Sequence, residues 1–162
     1  MKIYLPEVRQ RTDQGFCYTF SGTIPASFEP EFCPADRLQV DAEVRISGDK
    51  VFLAGKVIAD LREVCCRCLG DFTRHLETDF NETFTWQEED HLEGSPAVLA
   101  VEAANQQTVK GNYLYLDEYL RQVLLLARGY RSLCRDDCRG ICPVCGADLN
   151  SSSCSCAREE EI

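Results

Sequence analysis

Histidine is nearly missing from this chain. His75 and His91 are its two histidines in 162 residues, and neither stands in a catalytic setting. The sequence has no H-E-x-x-H ligand pair, no G-x-S-x-G nucleophile turn and no glycine-rich phosphate cradle, which sets aside zinc peptidases, serine hydrolases and nucleotide-binding loops. Long apolar runs are lacking too. The best candidate, Val123 to Ala127, falls far short of the roughly 18 apolar residues that span a bilayer, so no membrane partner is expected. Met1 to Glu7 lacks the apolar stretch and small-residue cleavage site of a secretory signal, and the expected location is the cytoplasm. Positive charge is in deficit: 17 Lys and Arg against 27 Asp and Glu leave a formal −10. That balance argues against indiscriminate nucleic-acid binding, which draws its free energy from cations displacing phosphate counterions.

Cysteine, by contrast, is abundant. Six of the eleven cysteines fall between Cys134 and Cys156, as Cys134-x3-Cys138-x3-Cys142-Pro143-Val144-Cys145-Gly146 and then Cys154-x-Cys156. In a chain expected in a reducing compartment, such a cluster points to metal ligation rather than disulfides. Within a C-P-x-C-G turn two sulfurs can take one edge of a tetrahedron, about 3.8 Å long for Zn–S bonds of about 2.3 Å.

Strand signals dominate the first half. Leu38, Val40, Ala42, Val44 and Ile46 alternate with polar residues, Ser47 to Lys50 supplies a turn, and Val51 to Leu61 resumes as the return strand of a hairpin. A further alternation through Phe72, Leu76, Phe80, Phe84 and Trp86 follows a tight Leu69-Gly70-Asp71 connection. Phe16 to Ile24 offers another strand, and Lys2 to Leu5 a short first one. Residues 87–110 are acidic and polar and read as a loop with a short ordered piece near Val98 to Val101. From Asp117, a candidate N-cap, Leu120, Val123, Leu124 and Ala127 recur at helical spacing until Gly129. The expected fold is α+β: an antiparallel β domain over 1–112, one long packing helix within 113–133 and a cysteine-rich, zinc-binding tail over 134–162.

A second cysteine pair lies far upstream, in Cys65-Cys66-Arg67-Cys68. A thioredoxin-like redox site wants C-x-x-C at a helix N-terminus, and here strands flank it. One four-sulfur site in the tail strands two of its six cysteines; adding Cys65 and Cys68 makes eight, enough for two tetrahedra. The local division is Cys142, Cys145, Cys154 and Cys156 around one zinc, with Cys65, Cys68, Cys134 and Cys138 around another. A single tail site that includes Cys134 and Cys138 competes with it. All-sulfur sites leave no open position for substrate, so neither catalysis nor a small-molecule substrate is expected. Cys17, Cys33 and Cys66 are left as small buried or semi-buried hydrophobes.

Arg121, Arg128, Arg131, Arg135 and Arg139 stand against only Asp136 and Asp137 in the same stretch. They form either a solvated face or a strip for a phosphate backbone or an acidic protein patch.

The order C-x-R-C-L (Cys65, Arg67, Cys68, Leu69), a Leu-rich helix from Leu116 to Ala127, then Cys134, Asp137, Cys138, Gly140, Cys142, Pro143, Cys145, Gly146, Leu149, Asn150, Cys154 and Cys156 resembles the YceD family, the large ribosomal subunit rRNA accumulation proteins. It departs at Arg128-Gly129-Tyr130, where relatives carry a Leu-Pro break. The resemblance implies a non-enzymatic factor in ribosome biogenesis, with large-subunit rRNA, a large-subunit ribosomal protein or an assembly factor as partner. Some relatives lack the distal cysteines yet keep the C-x-R-C pair, which favours the two-site division. A thiol redox or zinc-handling protein using Cys65 and Cys68 is the alternative, and a zinc-ribbon DNA-binding module fits the tail but not the acidity.

Overall fold

The computed structural model describes residues 1–10, 15–34, 36–86 and 109–156. Val98 to Val101, His91 and the acidic terminus from Glu159 lie outside the described residues. Four antiparallel strands form the main sheet in chain order: β2 (Phe16–Thr23), β3 (Arg37–Ser47), β4 (Lys50–Val64) and β5 (Asp71–Thr85). The period-2 patterns fix which face turns inward. Val40, Ala42 and Val44 of β3 lie opposite Val57, Gly55 and Leu53 of β4, and on these two strands Val40, Val44, Val51, Leu53, Val57, Ala59 and Leu61 are at most 2% exposed. Lys50 to Val64 pairs with Asp71 to Thr85 over 15 positions, so β4 and β5 make one long hairpin whose tip is Cys65 to Gly70.

A smaller sheet, ordered β1-β7-β6, joins β1 (Lys2–Tyr4) to β7 (Tyr113–Tyr115), with β6 (Val109–Lys110) beside it. The first strand therefore stops at Tyr4; Leu5 opens a short helix, α1 (Leu5–Arg9), whose first turn holds Pro6, where the missing N–H costs nothing.

The long C-terminal helix is a correction. The helix α2 runs only Asp117–Arg128, 12 residues. Tyr113 to Tyr115 upstream pair as a strand instead, and Gly129, at φ 68°, turns the chain out of helical geometry. Nor is Asp117 the N-cap: Leu116 holds that place, and the Asp117 carboxylate takes the amino group of Met1. With Glu118 it puts acid in the first turn, where the helix dipole favours it. Leu120 and Leu124 are fully buried against the sheet, and Phe80 and Phe84 meet the Tyr119 ring edge-on at 5.8 Å. Among the described residues no helix is long and apolar enough to cross a membrane.

Candidate metal centres

The proximal centre begins at the β4–β5 hairpin tip. Cys65 N–H donates to the Gly70 carbonyl at 2.9 Å and Leu69 N–H to the Cys65 carbonyl at 2.9 Å, with Leu69 at φ 58°, so the six-residue loop curls tightly and turns Cys65 and Cys68 to one side. The other two sulfurs come from the chain after α2. What carries that chain back to the hairpin is a cluster of charges built into the sheet. Glu63 and Arg74 both occupy inward positions, on β4 and β5. The Glu63 carboxylate, 2% exposed, meets Arg74 Nε at 3.1 Å and Arg128 Nε at 2.8 Å, and it also accepts from the Ser132 hydroxyl. Arg74 then donates to the carbonyls of Arg128 at 2.8 Å and Arg131 at 3.0 Å. A buried carboxylate is costly alone, and here two guanidinium groups compensate it. Cys66 N–H closes the dock on the Ser132 carbonyl at 2.8 Å, two residues before Cys134.

The result brings Cys65, Cys68, Cys134 and Cys138 together, with all four sulfurs within 4.8 Å of one another. Cys65 and Cys138 Sγ are 3.7 Å apart, as are Cys68 and Cys134. These spacings match the tetrahedral edge of a single thiolate-bound ion, about 3.8 Å, and are far from a disulfide bond of about 2.05 Å. All eleven cysteines are free. Cys142, Cys145, Cys154 and Cys156 form a second, distal group of the same kind, with Cys145 and Cys142 Sγ at 3.7 and 3.3 Å from that of Cys154. Here the turn closes through Gly146 N–H to the Cys142 carbonyl at 2.9 Å and Cys142 N–H to the Ala147 carbonyl at 2.8 Å. The structure thus divides the eight cysteines four and four, and Cys134 and Cys138 stand with the hairpin rather than with the tail.

The protonation chemistry of the two groups is alike. Backbone N–H groups, that of Cys68 first, pull the Cys65 thiol down to about 6, and those of Cys145 and Val144 do the same for Cys142. Burial, and then the neighbouring sulfurs, push Cys134 up to about 12; Cys156 rises to about 12 beside Cys154. Each group therefore takes its first negative charge readily and the last with difficulty, which is the deficit a divalent cation cancels. The residues present fit such an ion at both places.

The centres touch each other. Arg67 donates to the Cys138 carbonyl at 3.0 Å, and Gly140, at φ 73°, brings its Cα so near that a Cβ would lie 3.0 Å from the Arg67 carbonyl oxygen. Leu149 N–H reaches the Gly140 carbonyl at 2.9 Å, and Ile141 bridges to Asp148.

The five arginines do not share one state. Arg121 is held by Glu118 at 2.7 Å and Glu31 at 3.1 Å, and Arg128 by Glu63. Arg131, Arg135 and Arg139 are exposed around the proximal centre, Arg135 with Asp137 at 3.4 Å and Asn150 at 2.8 Å. Of the remaining cysteines, Cys17, on the outer face of edge strand β2, and Cys66, at the hairpin tip but outside the proximal group, are exposed rather than buried. Cys33 is half-buried, its sulfur 2.8 Å from Arg62. The Glu63–Arg74 dock escaped sequence reasoning. Its signal was present: opposite charges at inward parity on two strands, in series with Leu61 and Phe72.

The model of the family described as large ribosomal RNA subunit accumulation protein YceD matches residues 53–161, which takes in both centres, most of the β4–β5 hairpin and α2. The chain belongs to the YceD family. A protein of Mycobacterium leprae named only as uncharacterized is 26% identical over 112 residues, 69% of this chain and 49% of that protein. Uncharacterized proteins of Mycobacterium bovis and Mycobacterium tuberculosis are each 25% identical over 114 residues, 70% of this chain and 52% of theirs. The chain thus spans about half the length of these relatives. No solved structure matches it.

Proposed function

We propose that this chain is a non-catalytic factor in ribosome biogenesis that supports accumulation or assembly of large-subunit rRNA, with one structural zinc ion in each cysteine tetrad. The observation that carries the reading is a family match, named for rRNA accumulation, over residues that assemble into two closed four-sulfur centres. Soft thiolates select zinc among the common divalent ions, and sulfurs 3.7 Å apart suit one ion, not a cluster of irons. Four protein ligands leave no position for a substrate or an activated water. Arg131, Arg135 and Arg139 are the contact candidates, since Arg121 and Arg128 serve the fold.

The alternative, a redox function at Cys65 and Cys68, needs an accessible nucleophile, whereas Cys65 is 0% exposed. Alkylation of either residue before metal removal counts against structural zinc. The test of the main reading is elemental mass spectrometry on protein purified without chelator, with two zinc ions expected per chain, followed by cosedimentation with large-subunit precursors across a salt series. Contact of three arginines with phosphate predicts a log–log salt slope of about −2 to −3. Salt-insensitive association transfers the contact to a protein, and no association with the precursors at any salt refutes the role.

A further inference from the structure

Asn150 belongs by sequence to the distal centre, between Cys145 and Cys154, yet its side chain works at the proximal one. Its Nδ2 group lies 3.6 Å from Cys138 Sγ and 2.7 Å from Asp148 Oδ1. Its Oδ1 accepts from Arg139 N–H at 2.8 Å and from Arg135 at 2.8 Å. A carboxamide has two donor hydrogens and two acceptor lone pairs, and here all four are engaged. A surface turn asparagine needs no such complement. Cys138 itself is 3% exposed, so the N–H···S contact sits out of bulk water, where it weighs most.

The placement of Asn150 depends on closure of the distal turn. Asp148, which holds both the Asn150 backbone N–H at 2.9 Å and its side chain, is fixed by the bridge to Ile141, the residue before ligand Cys142. Opening the distal tetrad frees the 142–156 segment, and the carboxamide then keeps only the Arg135 and Arg139 contacts to its Oδ1, which without Asp148 do not aim its Nδ2 at the sulfur. Donors to a ligating thiolate stabilise its charge, and loss of such an outer partner typically lowers metal affinity about 10–100-fold.

We propose that Asn150 couples the two centres, so that a closed distal tetrad raises the metal affinity of the proximal one by at least about tenfold. The inference rests on the zinc reading above. By linkage the coupling is reciprocal, and a filled proximal centre raises distal affinity by the same factor.

The test uses the full chain loaded with cadmium-113, whose NMR resonance reports each four-sulfur site separately, with zinc affinities from chelator competition. Cys68→Ser and Cys154→Ser assign the two resonances. Asn150→Asp keeps the shape and both acceptor functions but sets a carboxylate against Cys138 Sγ and Asp148. It is expected to lower proximal affinity about 10–100-fold with the distal site filled and, by the same linkage, to abolish the gain in distal affinity that a filled proximal centre gives, while the distal resonance and the distal affinity measured with the proximal centre empty stay in place. Cys154→Ser is expected to lower proximal affinity about tenfold in the native background and hardly at all with Asn150→Asp already present. Two results overturn the coupling: Asn150→Asp weakening only the distal site, as for a mere turn residue, or Cys154→Ser acting equally in both backgrounds. A native chain that holds no metal defeats the zinc reading itself, and the coupling with it.

Discussion

Replacing Cys68 by serine removes one ligand of the proximal tetrad and leaves the distal one complete; Cys154→Ser does the reverse. The two changes are chemically identical but act on very different lengths of chain. Cys68 and Cys134 stand 66 positions apart, with β5 and α2 between them, whereas Cys145 and Cys154 stand 9 apart. In the chain-entropy treatment of a cross-link, closing the long loop restricts the unfolded state by about 4 kcal/mol and closing the short one by about 2.6 kcal/mol. The long closure bears on the whole fold, since it ties the hairpin tip to the segment after α2. The short one bears on the tail alone. With zinc in excess, Cys68→Ser is expected to lower the main thermal transition by about 8–16 °C, at 2–4 °C per kcal/mol for a chain of this size. Cys154→Ser reaches that transition only through its coupling to the proximal centre, about 1.4 kcal/mol for a tenfold affinity change. Scanning calorimetry, with far-ultraviolet dichroism to follow the sheet, reads both. Equal shifts for the two variants, or no shift for Cys68→Ser, refute the argument that the proximal centre is the structural cross-link.

Arg74→Ala strips Glu63 of one of its two guanidinium partners and removes two bonds to backbone carbonyls, and is expected to cost about 3 kcal/mol in urea denaturation. Arg74→Lys restores the charge without the fork and should recover less than half of it. Gly140 and Gly146 have nearly the same backbone, φ 73° and 71°, but a Cβ meets the Arg67 carbonyl at Gly140 and open space at Gly146. Alanine at either adds about 1–2 kcal/mol of left-handed strain, and only Gly140→Ala should also speed metal release from the proximal centre to a chromophoric chelator. Leu124→Ala empties a fully buried site and should cost about 2–5 kcal/mol while leaving metal content as in the native chain.

The strands were legible because one buried face imposes period 2, and Val40 to Ile46 or Phe72 to Phe84 admit no other register. The helix was legible in its core, Leu120 to Ala127, and at Gly129. The spacing from Asp117 to Gly129 matches the observed Asp117–Arg128; only the long helix within 113–133 overshot, because Tyr113 to Tyr115 have a strand partner in Lys2 to Tyr4. Asp117 misled for a similar reason, since a good capping residue had a stronger use in the amino group of Met1. The four-and-four grouping of cysteines could be reached by counting ligands. The dock that makes the proximal group possible could not be reached that way, because Glu63, Arg74, Arg128 and Ser132 meet only once β4, β5 and α2 have folded.

That order of events bears on the arginines. On the zinc reading, four thiolates around a divalent cation carry a net charge of about −2, so two filled centres make an already acidic chain more negative still. The Arg67 and Arg135 guanidinium groups stand beside the proximal centre, on the Cys138 carbonyl and the Asn150 carboxamide. Their first electrostatic effect is therefore to offset the proximal centre, and the potential they offer a phosphate is what remains. On this reading what the chain would offer a phosphate is one small basic patch rather than a general polyanion surface. The arrangement depends on the metal, because Arg135 and Arg139 lie between ligands Cys134 and Cys142 and have no secondary structure of their own. On the proposed function, association with RNA and occupancy of the proximal centre should then be lost together, which cosedimentation before and after chelation reads.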